Sequence, residues 1–234
     1  MTEHHSLKAM VLAMVLATTA GMALTDSPMA LAAQPLTASA STADSAAPAA
    51  AGLHELQSRW ANIRYQTPEA RRADAFEQLY QRAQALLKAQ PKSAELHTWA
   101  GIIRGSQAGA EGGLSALSQV KEARAEFEQA LSIDPTTLSG SAYTSLGTLY
   151  HQVPGWPISF GDDDKARQLL QKGLSLNPDG IDSNYFWADF LHDQGDDAQA
   201  RQAIEKAMAA APRPGRETAD AGRRQDIQAL LKEI

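Results

Sequence analysis

Three segments of the chain repeat one pattern: residues 121–135 read KEARAEFEQALSIDP, residues 164–178 read DKARQLLQKGLSLNP, and residues 197–212 read DAQARQAIEKAMAAAP. In each, an alanine is followed at the same offsets by an apolar residue, a small residue and a proline; the sets are Ala123, Phe127, Ala130, Pro135, then Ala166, Leu170, Gly173, Pro178, then Ala200, Ile204, Ala207, Pro212. The first two offsets, four and three residues, add up to two helical turns, so the first three positions share one face. The proline then ends the helix, because the residue before a proline disfavours the α conformation.

A matching helix precedes each of these segments and carries a small residue at an equivalent place. These small residues are Gly101, Gly147 and Ala188. Small side chains on both helices allow the two backbones to cross closely, with Ala123, Ala166 and Ala200 in the opposing position. A close crossing of this kind, flanked by large residues, resembles the tetratricopeptide repeat. The resemblance implies an all-α fold, a right-handed α-solenoid of about three to four helix pairs.

The prolines that end the units set their lengths. Pro91, Pro135, Pro178 and Pro212 are spaced 44, 43 and 34 residues apart, and 34 is the ordinary length of this repeat. We expect units at about residues 53–91, 93–135, 140–178 and 181–212. The two longer spacings indicate insertions between the paired helices, at residues 105–118 and 153–162.

A final helix is predicted over residues 217–234. Its apolar residues lie on one face with helical spacing, and these are Ile227, Leu230, Leu231 and Ile234. Charged residues are expected elsewhere on the helix, away from that face: Arg216, Arg223, Arg224 and Lys232. One apolar and one charged face are what the end cap of a solenoid requires.

The first 32 residues are typical of an export signal. Residues 9–24, AMVLAMVLATTAGMAL, are uncharged and largely apolar, but shorter than the roughly 18–20 residues of a membrane span. Ala30-Leu31-Ala32 follows, a small-x-small site of the kind that signal peptidase cleaves. We expect cleavage after Ala32 and a periplasmic or secreted protein that does not span the membrane; cleavage after Ala23 and an uncleaved anchor are the alternatives.

Residues 33–52 are rich in Ala, Ser, Thr and Pro, and Leu36 is the only large apolar side chain before Leu53. Such a segment buries too little surface to offset its chain entropy. We expect a disordered linker here, and a folded helical domain over residues 53–234.

The composition excludes several classes of function. The chain has 234 residues, 21 Lys+Arg, 27 Asp+Glu and a net charge of −6, whereas a nucleic-acid binder needs clustered Lys and Arg. The absence of Cys rules out disulfides, thiolate metal sites, a Cys nucleophile and a lipoprotein anchor. We therefore expect no nucleic-acid partner.

Motifs for catalysis are missing as well. No Gly-x-Ser-x-Gly elbow, His-Glu-x-x-His pair or phosphate-binding Gly-rich loop occurs, and Ser139-Gly140-Ser141 is typical of a capped helix start. The acid pair Asp189 and Asp193 lies one turn apart, but a shallow groove lacks the deep sugar cleft of a glycosidase. We expect a protein that is not an enzyme and holds no cofactor and no metal.

A longer motif connects the last third of the chain to a group of exported bacterial proteins. Residues 155–162 read GWPISFGD and precede the helix that begins near Lys165-Ala166, and residues 184–186 (NYF) and 188–191 (ADFL) follow. This stretch resembles the T-component proteins associated with tripartite periplasmic (TRAP) transporters, and it is similar to the tetratricopeptide segment of microtubule-dynamics regulators. The resemblance implies a helical solenoid and export, and it does not fix a ligand.

The concave groove of such a solenoid is lined by the first helix of each pair. In the last two units the predicted groove residues are mostly polar or acidic: Thr144, Thr148 and His151, then Asp182, Tyr185, Asp189 and His192. This surface suits a peptide segment or a small cationic ligand, and the same residue types also suit a solvated face without a partner. A zinc site at His151 and His192 is disfavoured, because no further ligand stands at metal spacing.

The insertion at residues 153–162 contains two aromatic residues, Trp156 and Phe160. They can pack down between helix pairs, or they can project as an anchor for a partner, since exposed aromatics mark contact sites. Asp162, Asp163 and Asp164 resemble a run of calcium ligands, but we interpret them as a helix N-cap and first-turn acids.

Two functions of different classes fit these features. The first is a scaffold or adaptor that holds a protein or peptide partner in the cell envelope, through the groove or the Trp156 loop. The second is a small-ligand-binding accessory component of a transport system, in which the insertions close over the groove. Ligand pockets are mostly apolar, whereas the predicted groove is polar, which favours the scaffold.

Overall fold

The computed structural model describes residues 43–234, with side chains from residue 50 onward. The helices are α1 (Ala43–Gln66), α2 (Arg72–Ala89), α3 (Ala94–Glu111), α4 (Ala116–Ile133), α5 (Thr137–Gln152), α6 (Asp163–Leu176), α7 (Ile181–Asp193), α8 (Asp197–Ala209) and α9 (Glu217–Leu230). A one-turn 3₁₀ helix at Glu69–Arg71 precedes α2. The expected signal peptide and the first ten residues of the expected linker lie outside the described residues.

Consecutive helices pack as pairs, α1 with α2, α3 with α4, α5 with α6 and α7 with α8. Four pairs followed by a C-terminal helix form an α-solenoid, so the predicted fold class is confirmed. The Pro-terminated helices are α2, α4, α6 and α8, and each ends two or three residues before its proline. The repeat pattern therefore predicted the second helix of the last three pairs, and Pro91 marked the end of the second helix in the first pair.

The close crossings occur where the small residues stand. Ala123, Ala166 and Ala200 are all fully buried. A Cβ atom added to Gly101 would lie 2.6 Å from the Phe127 ring, and one added to Gly147 would lie 2.9 Å from Leu170 Cγ. Real Cβ contacts are not this short, so glycine on the first helix makes room for the large residue on the second.

The expected linker is wrong for its last ten residues, because α1 begins at Ala43. Six of the nine residues from 43 to 51 are alanine, the strongest helix former, and extending an existing helix costs far less than starting one. The helix from Leu53 onward is nucleated by packing on its neighbours, and the alanine-rich segment continues it. Gly52 of this segment is buried, and a Cβ there would lie 3.0 Å from Leu86.

The two insertions differ in structure. Most of residues 105–118 lengthen α3 and α4, and only residues 112–115 remain as the connection, with Gly112 and Gly113 at positive φ. Residues 153–162, in contrast, form a loop between α5 and α6. At the expected helix start near Ser139, the backbone is left-handed from Leu138 to Gly140, and Ser141 Oγ donates to the Leu138 carbonyl oxygen at 2.7 Å.

The solenoid closes on itself. The first helices of the pairs contact each other in order, α1 with α3, α3 with α5 and α5 with α7, and α9 then contacts both α7 and α1. These five helices make up a closed inner ring, with α2, α4, α6 and α8 outside it. The predicted end cap is therefore also the element that joins the last unit to the first.

In the part of the chain from residue 43 onward, no helix combines the length and the apolar character that crossing a membrane requires.

Candidate functional site

Two of the three α5 residues predicted to line an open groove are buried, and the third, His151, is partly exposed. Thr144 and Thr148 are both less than 3% exposed, and Thr148 Oγ1 donates to the Thr144 carbonyl oxygen at 2.9 Å. A Cβ on Gly173 would overlap the Thr144 hydroxyl, so Thr144 packs against α6. The groove prediction is wrong for these two residues, because α5 has neighbours on every side within the closed ring.

The α7 residues of the predicted groove separate into a buried end and a partly exposed end. Asp182 is fully buried, and Tyr185 is partly buried under the Arg223 guanidinium. Asp189 and His192 are partly exposed, and His192 Nδ1 lies 2.7 Å from Asp197 Oδ1. The groove prediction is therefore wrong for Asp182, which the C-terminal segment covers.

A buried ionic cluster holds this C-terminal segment against α7. Asp182 Oδ1 accepts a hydrogen bond from Arg223 Nε at 2.7 Å, and Asp182 Oδ2 accepts one from Arg213 Nη1 at 2.7 Å. Arg213 Nε also donates to Asp220 Oδ1 at 2.7 Å. Each oxygen of the inaccessible Asp182 carboxylate thus faces a guanidinium, which is the condition under which a buried charge is tolerated.

The same cluster joins α9 to α1. Asp226 Oδ2 accepts hydrogen bonds from Arg223 Nη1 at 3.0 Å and from the Tyr65 hydroxyl at 3.0 Å, while Asp226 Oδ1 lies 3.6 Å from Arg64 Nη2. Burial raises the pKa of Tyr65, so its hydroxyl stays protonated and can donate the hydrogen bond to Asp226. The ring is therefore closed by charged hydrogen bonds as well as by packing.

These ionic residues were missed from the sequence, although a signal for them exists. Arg216, Asp220 and Arg223 continue the apolar stripe of Ile227 and Leu230 with spacings of four, three, four and three residues. That spacing places Asp220, Arg223, Ile227 and Leu230 on the buried face of α9, and Arg216, the N-cap of this helix, is buried as well. The expectation that Arg216 and Arg223 lie away from the buried face is wrong, because both are buried. For Arg223, the carboxylates of Asp182 and Asp226 make this burial possible.

His151, near the end of α5, connects this helix to α6 and α7. Its Nδ1 lies 2.8 Å from Asp163 Oδ1 at the start of α6, and its Nε2 lies 3.1 Å from Asp193 Oδ2 at the end of α7. With a carboxylate at each ring nitrogen, both nitrogens act as donors, which is the protonated state. Burial disfavours that state, but the hydrogen bonds to Asp193 and Asp163 outweigh it and raise the pKa of His151.

We expect the stabilisation by His151 to depend on pH. A histidine pKa that is higher in the folded state stabilises the fold below the unfolded-state pKa of about 6.5, and this contribution is lost as the pH rises through the folded-state pKa. Replacing His151 by Gln should therefore lower the free energy of unfolding more at pH 6 than at pH 9. Urea unfolding of both proteins at the two pH values measures the difference, with His54→Gln, an exposed histidine of α1, as the control. Equal losses at both pH values would contradict a charged bridge.

The Trp156 loop, residues 153–162, divides its aromatic residues between the two predicted roles. Phe160 packs on Tyr150 with ring centroids 5.3 Å apart, and the Arg124 guanidinium lies 5.1 Å from its ring centre. Trp156 is 90% exposed and Ile158 is 59% exposed. Phe160 is thus the packed residue, and Trp156 is the projecting one.

The base of this loop is well ordered by hydrogen bonds. Gly161 N donates to the Pro154 carbonyl oxygen at 3.0 Å, and Asp162 N donates to the Tyr150 carbonyl oxygen at 3.0 Å. Asp162 is the N-cap of α6, and its carboxylate accepts from Lys165 N at 3.0 Å, which confirms the interpretation of the acidic run. Asp163 and Asp164 lie in the first turn, where they complement the helix dipole. The apolar tip therefore stands on a fixed base.

Among the described residues, no group of three or more His, Asp or Glu side chains is arranged to hold a metal ion.

Comparison with known proteins bears on the repeat. The tetratricopeptide repeat family matches residues 114–137, which contain α4. Among solved structures, the chain is similar to MamA, with 18% identity and a TM-score of 0.32, over 58% of this chain and 89% of that one. It is also similar to PilF of Pseudomonas aeruginosa, with 18% identity and a TM-score of 0.32, over 76% of this chain and 89% of that one. None of the curated proteins matches the sequence.

Proposed function

We propose that this tetratricopeptide protein is a non-catalytic scaffold of the cell envelope, and that it binds a protein partner through the Trp156 loop. The observation that carries the proposal is the 90% exposure of Trp156 next to the 59% exposure of Ile158. Tryptophan is the residue type most enriched among the energetic centres of protein interfaces. The envelope setting rests on the N-terminal sequence alone.

The closed inner ring directs the interaction to the outside of the molecule. Peptides bind tetratricopeptide solenoids where side chains are accessible, and Thr144, Thr148 and Asp182 are not. Pro154 and Pro157 are exposed beside Trp156, so the tip presents a small, stiff apolar surface. Such a surface loses little conformational entropy when a partner binds it.

The surroundings of the loop indicate the chemistry of the partner. Asp162 and Asp164 are exposed at the foot of the loop, next to the apolar tip. A complementary surface would have an apolar pocket for the indole ring and basic side chains at its rim. We therefore propose a partner with such a pocket.

Trp156→Ala should weaken partner binding strongly without affecting the fold. Because the side chain makes few contacts within the chain, the free energy of unfolding should change by less than about 0.5 kcal/mol. Affinity for the partner should fall by at least about 30-fold, as for a central tryptophan at an interface. Photo-crosslinking from position 158 in native cells identifies the partner, and titration of the purified pair measures the affinity.

Leu114→Ala is the matched control, because Leu114 is 81% exposed on the connection between α3 and α4, which is a different connection from the Trp156 loop. It should leave both the crosslink and the affinity unchanged. If Trp156→Ala binds the partner as tightly as the wild type, or if position 158 yields no discrete crosslink, the loop is not the binding surface.

A further inference from the structure

Arg216, the residue that caps the start of α9, is buried without an acceptor for its hydrogen bonds. It is 5% exposed, and its Nε, Nη1 and Nη2 atoms are buried and have no hydrogen-bond partner. A guanidinium carries five N–H donors and normally satisfies them when it is buried. An unsatisfied buried cation is costly, so the position calls for an explanation.

The nearby carboxylates do not supply these acceptors. Asp182 and Asp220 are bound by Arg213 and Arg223, and the exposed Glu217 carboxylate accepts from Gly215 N at 3.0 Å. Burial lowers the pKa of Arg216 to about 10, and repulsion by Arg213 acts in the same direction. The side chain therefore remains positively charged at neutral pH, inside a cluster whose acids are already engaged.

A second unsatisfied donor stands beside the first. The Arg216 guanidinium lies 5.1 Å from the ring centre of Trp99 in α3, and Trp99 Nε1 is also buried without a hydrogen-bond partner. Indole nitrogen is a donor only. The indole face attracts the guanidinium through a cation–π contact but is not a conventional hydrogen-bond acceptor, so the N–H groups of both side chains remain without an oxygen or nitrogen acceptor.

We infer that Arg216 and Trp99 form a binding site for a small oxyanion, a carboxylate or a phosphate. A guanidinium matches the two-oxygen edge of either group with two parallel hydrogen bonds, and the indole N–H can supply a further donor. The segment that carries Arg216 runs along the surface, since its chain neighbours Pro214, Gly215 and Glu217 are exposed. Binding there would connect α3 with α9 inside the ring. The site is separate from the Trp156 loop and goes beyond the scaffold proposal.

The full chain should be stabilised by oxyanions at constant ionic strength. Thermal unfolding is measured in sodium chloride, with part of the chloride replaced by sodium acetate in one series and by sodium phosphate in another. At about a hundred-fold excess over the dissociation constant, the midpoint should rise by about 5–10 °C relative to chloride. Calorimetric titration with each anion shows whether carboxylate, phosphate or both are bound.

Arg216→Met, which keeps the aliphatic stem and removes the charge, should abolish the rise in midpoint. Arg224→Met in the same helix is the control, because Arg224 bonds the Met208 carbonyl oxygen and should leave the anion response intact. Arg216→Lys keeps the charge but lacks the planar fork, and its affinity should fall at least about tenfold. If acetate and phosphate stabilise the wild type no more than chloride does, or if Arg216→Met responds like the wild type, the site does not exist; the wild-type series decides this even if Arg216→Met fails to fold.

Discussion

Replacing Asp182 by Asn is expected to destabilise the fold by about 3–5 kcal/mol, the typical cost of removing one partner from a buried ion pair. The side chains of Asp182 and Arg223 are both 0% exposed, and they bond at 2.7 Å. Asparagine has nearly the same shape, but it removes the negative charge that two guanidiniums share. Arg223 then keeps the partly exposed Asp226 carboxylate but loses its fully buried partner. Urea unfolding followed by circular dichroism measures the loss.

Asp179→Asn is the matched control for this change. Asp179 is exposed on the turn before α7, so the same change in net charge should alter the free energy of unfolding by less than about 0.5 kcal/mol. Hydrogen exchange of Asp182→Asn should show α9 losing protection before the other helices, because Asp182 anchors that segment through Arg213 and Arg223. A loss of stability no larger than that of the control would mean that the cluster does not hold α9 in place.

The repeat could be predicted because its determinants are local. The offsets that link Ala123 to Phe127 and Pro135 lie within one helix, and the crossing with Gly101 involves the helix immediately before it. Helical periodicity and the effect of proline then give the helix pairs directly. The packing of each unit depends on contacts between helices that follow one another in the chain, and the residues that make such contacts form a pattern that a sequence shows.

The closure of the ring could not be predicted in the same way. It brings Tyr65 to Asp226, 161 positions apart, and it depends on the small rotation that each of four units adds. No single residue pattern encodes that sum. The spacing of Arg216, Asp220 and Arg223 along the buried stripe was the available sign, but charged residues on a terminal helix are ordinarily solvated.

The Trp156 loop illustrates a different limit. Packing down and projecting outward both require aromatic residues in a loop stiffened by proline, so composition alone leaves both roles open. The structure assigns one role to each aromatic residue. Phe160 packs against Tyr150 of α5 and Arg124 of α4, whereas Trp156, four positions earlier, is exposed. Only the placement of the loop on α5 and α6 decides which aromatic residue is covered.

Replacing Tyr65 by Ala is expected to cost about 3–5 kcal/mol, as for other large aromatic residues in a core, because the ring joins the two ends of the solenoid. The ring packs edge-on against Trp60 with centroids 5.9 Å apart, and its hydroxyl bonds Asp226. A Cβ added to Gly222 of α9 would overlap this ring. Gly222→Ala should therefore destabilise the fold. Overpacking alone should cost about 1–3 kcal/mol, and the gain in helix propensity offsets about 1 kcal/mol of that loss.

The double mutant distinguishes a contact between the helix ends from two separate losses. With the ring removed by Tyr65→Ala, the Cβ at position 222 has room, and Gly222→Ala should become stabilising by up to about 1 kcal/mol. With Tyr65→Phe, which keeps the ring and removes only the hydroxyl, Gly222→Ala should still destabilise the fold. A change of sign in the first background but not in the second gives a coupling energy of about 1–3 kcal/mol, the range for residues in direct contact. Additive effects in both backgrounds would mean that α1 and α9 do not meet, and that the solenoid is open in solution.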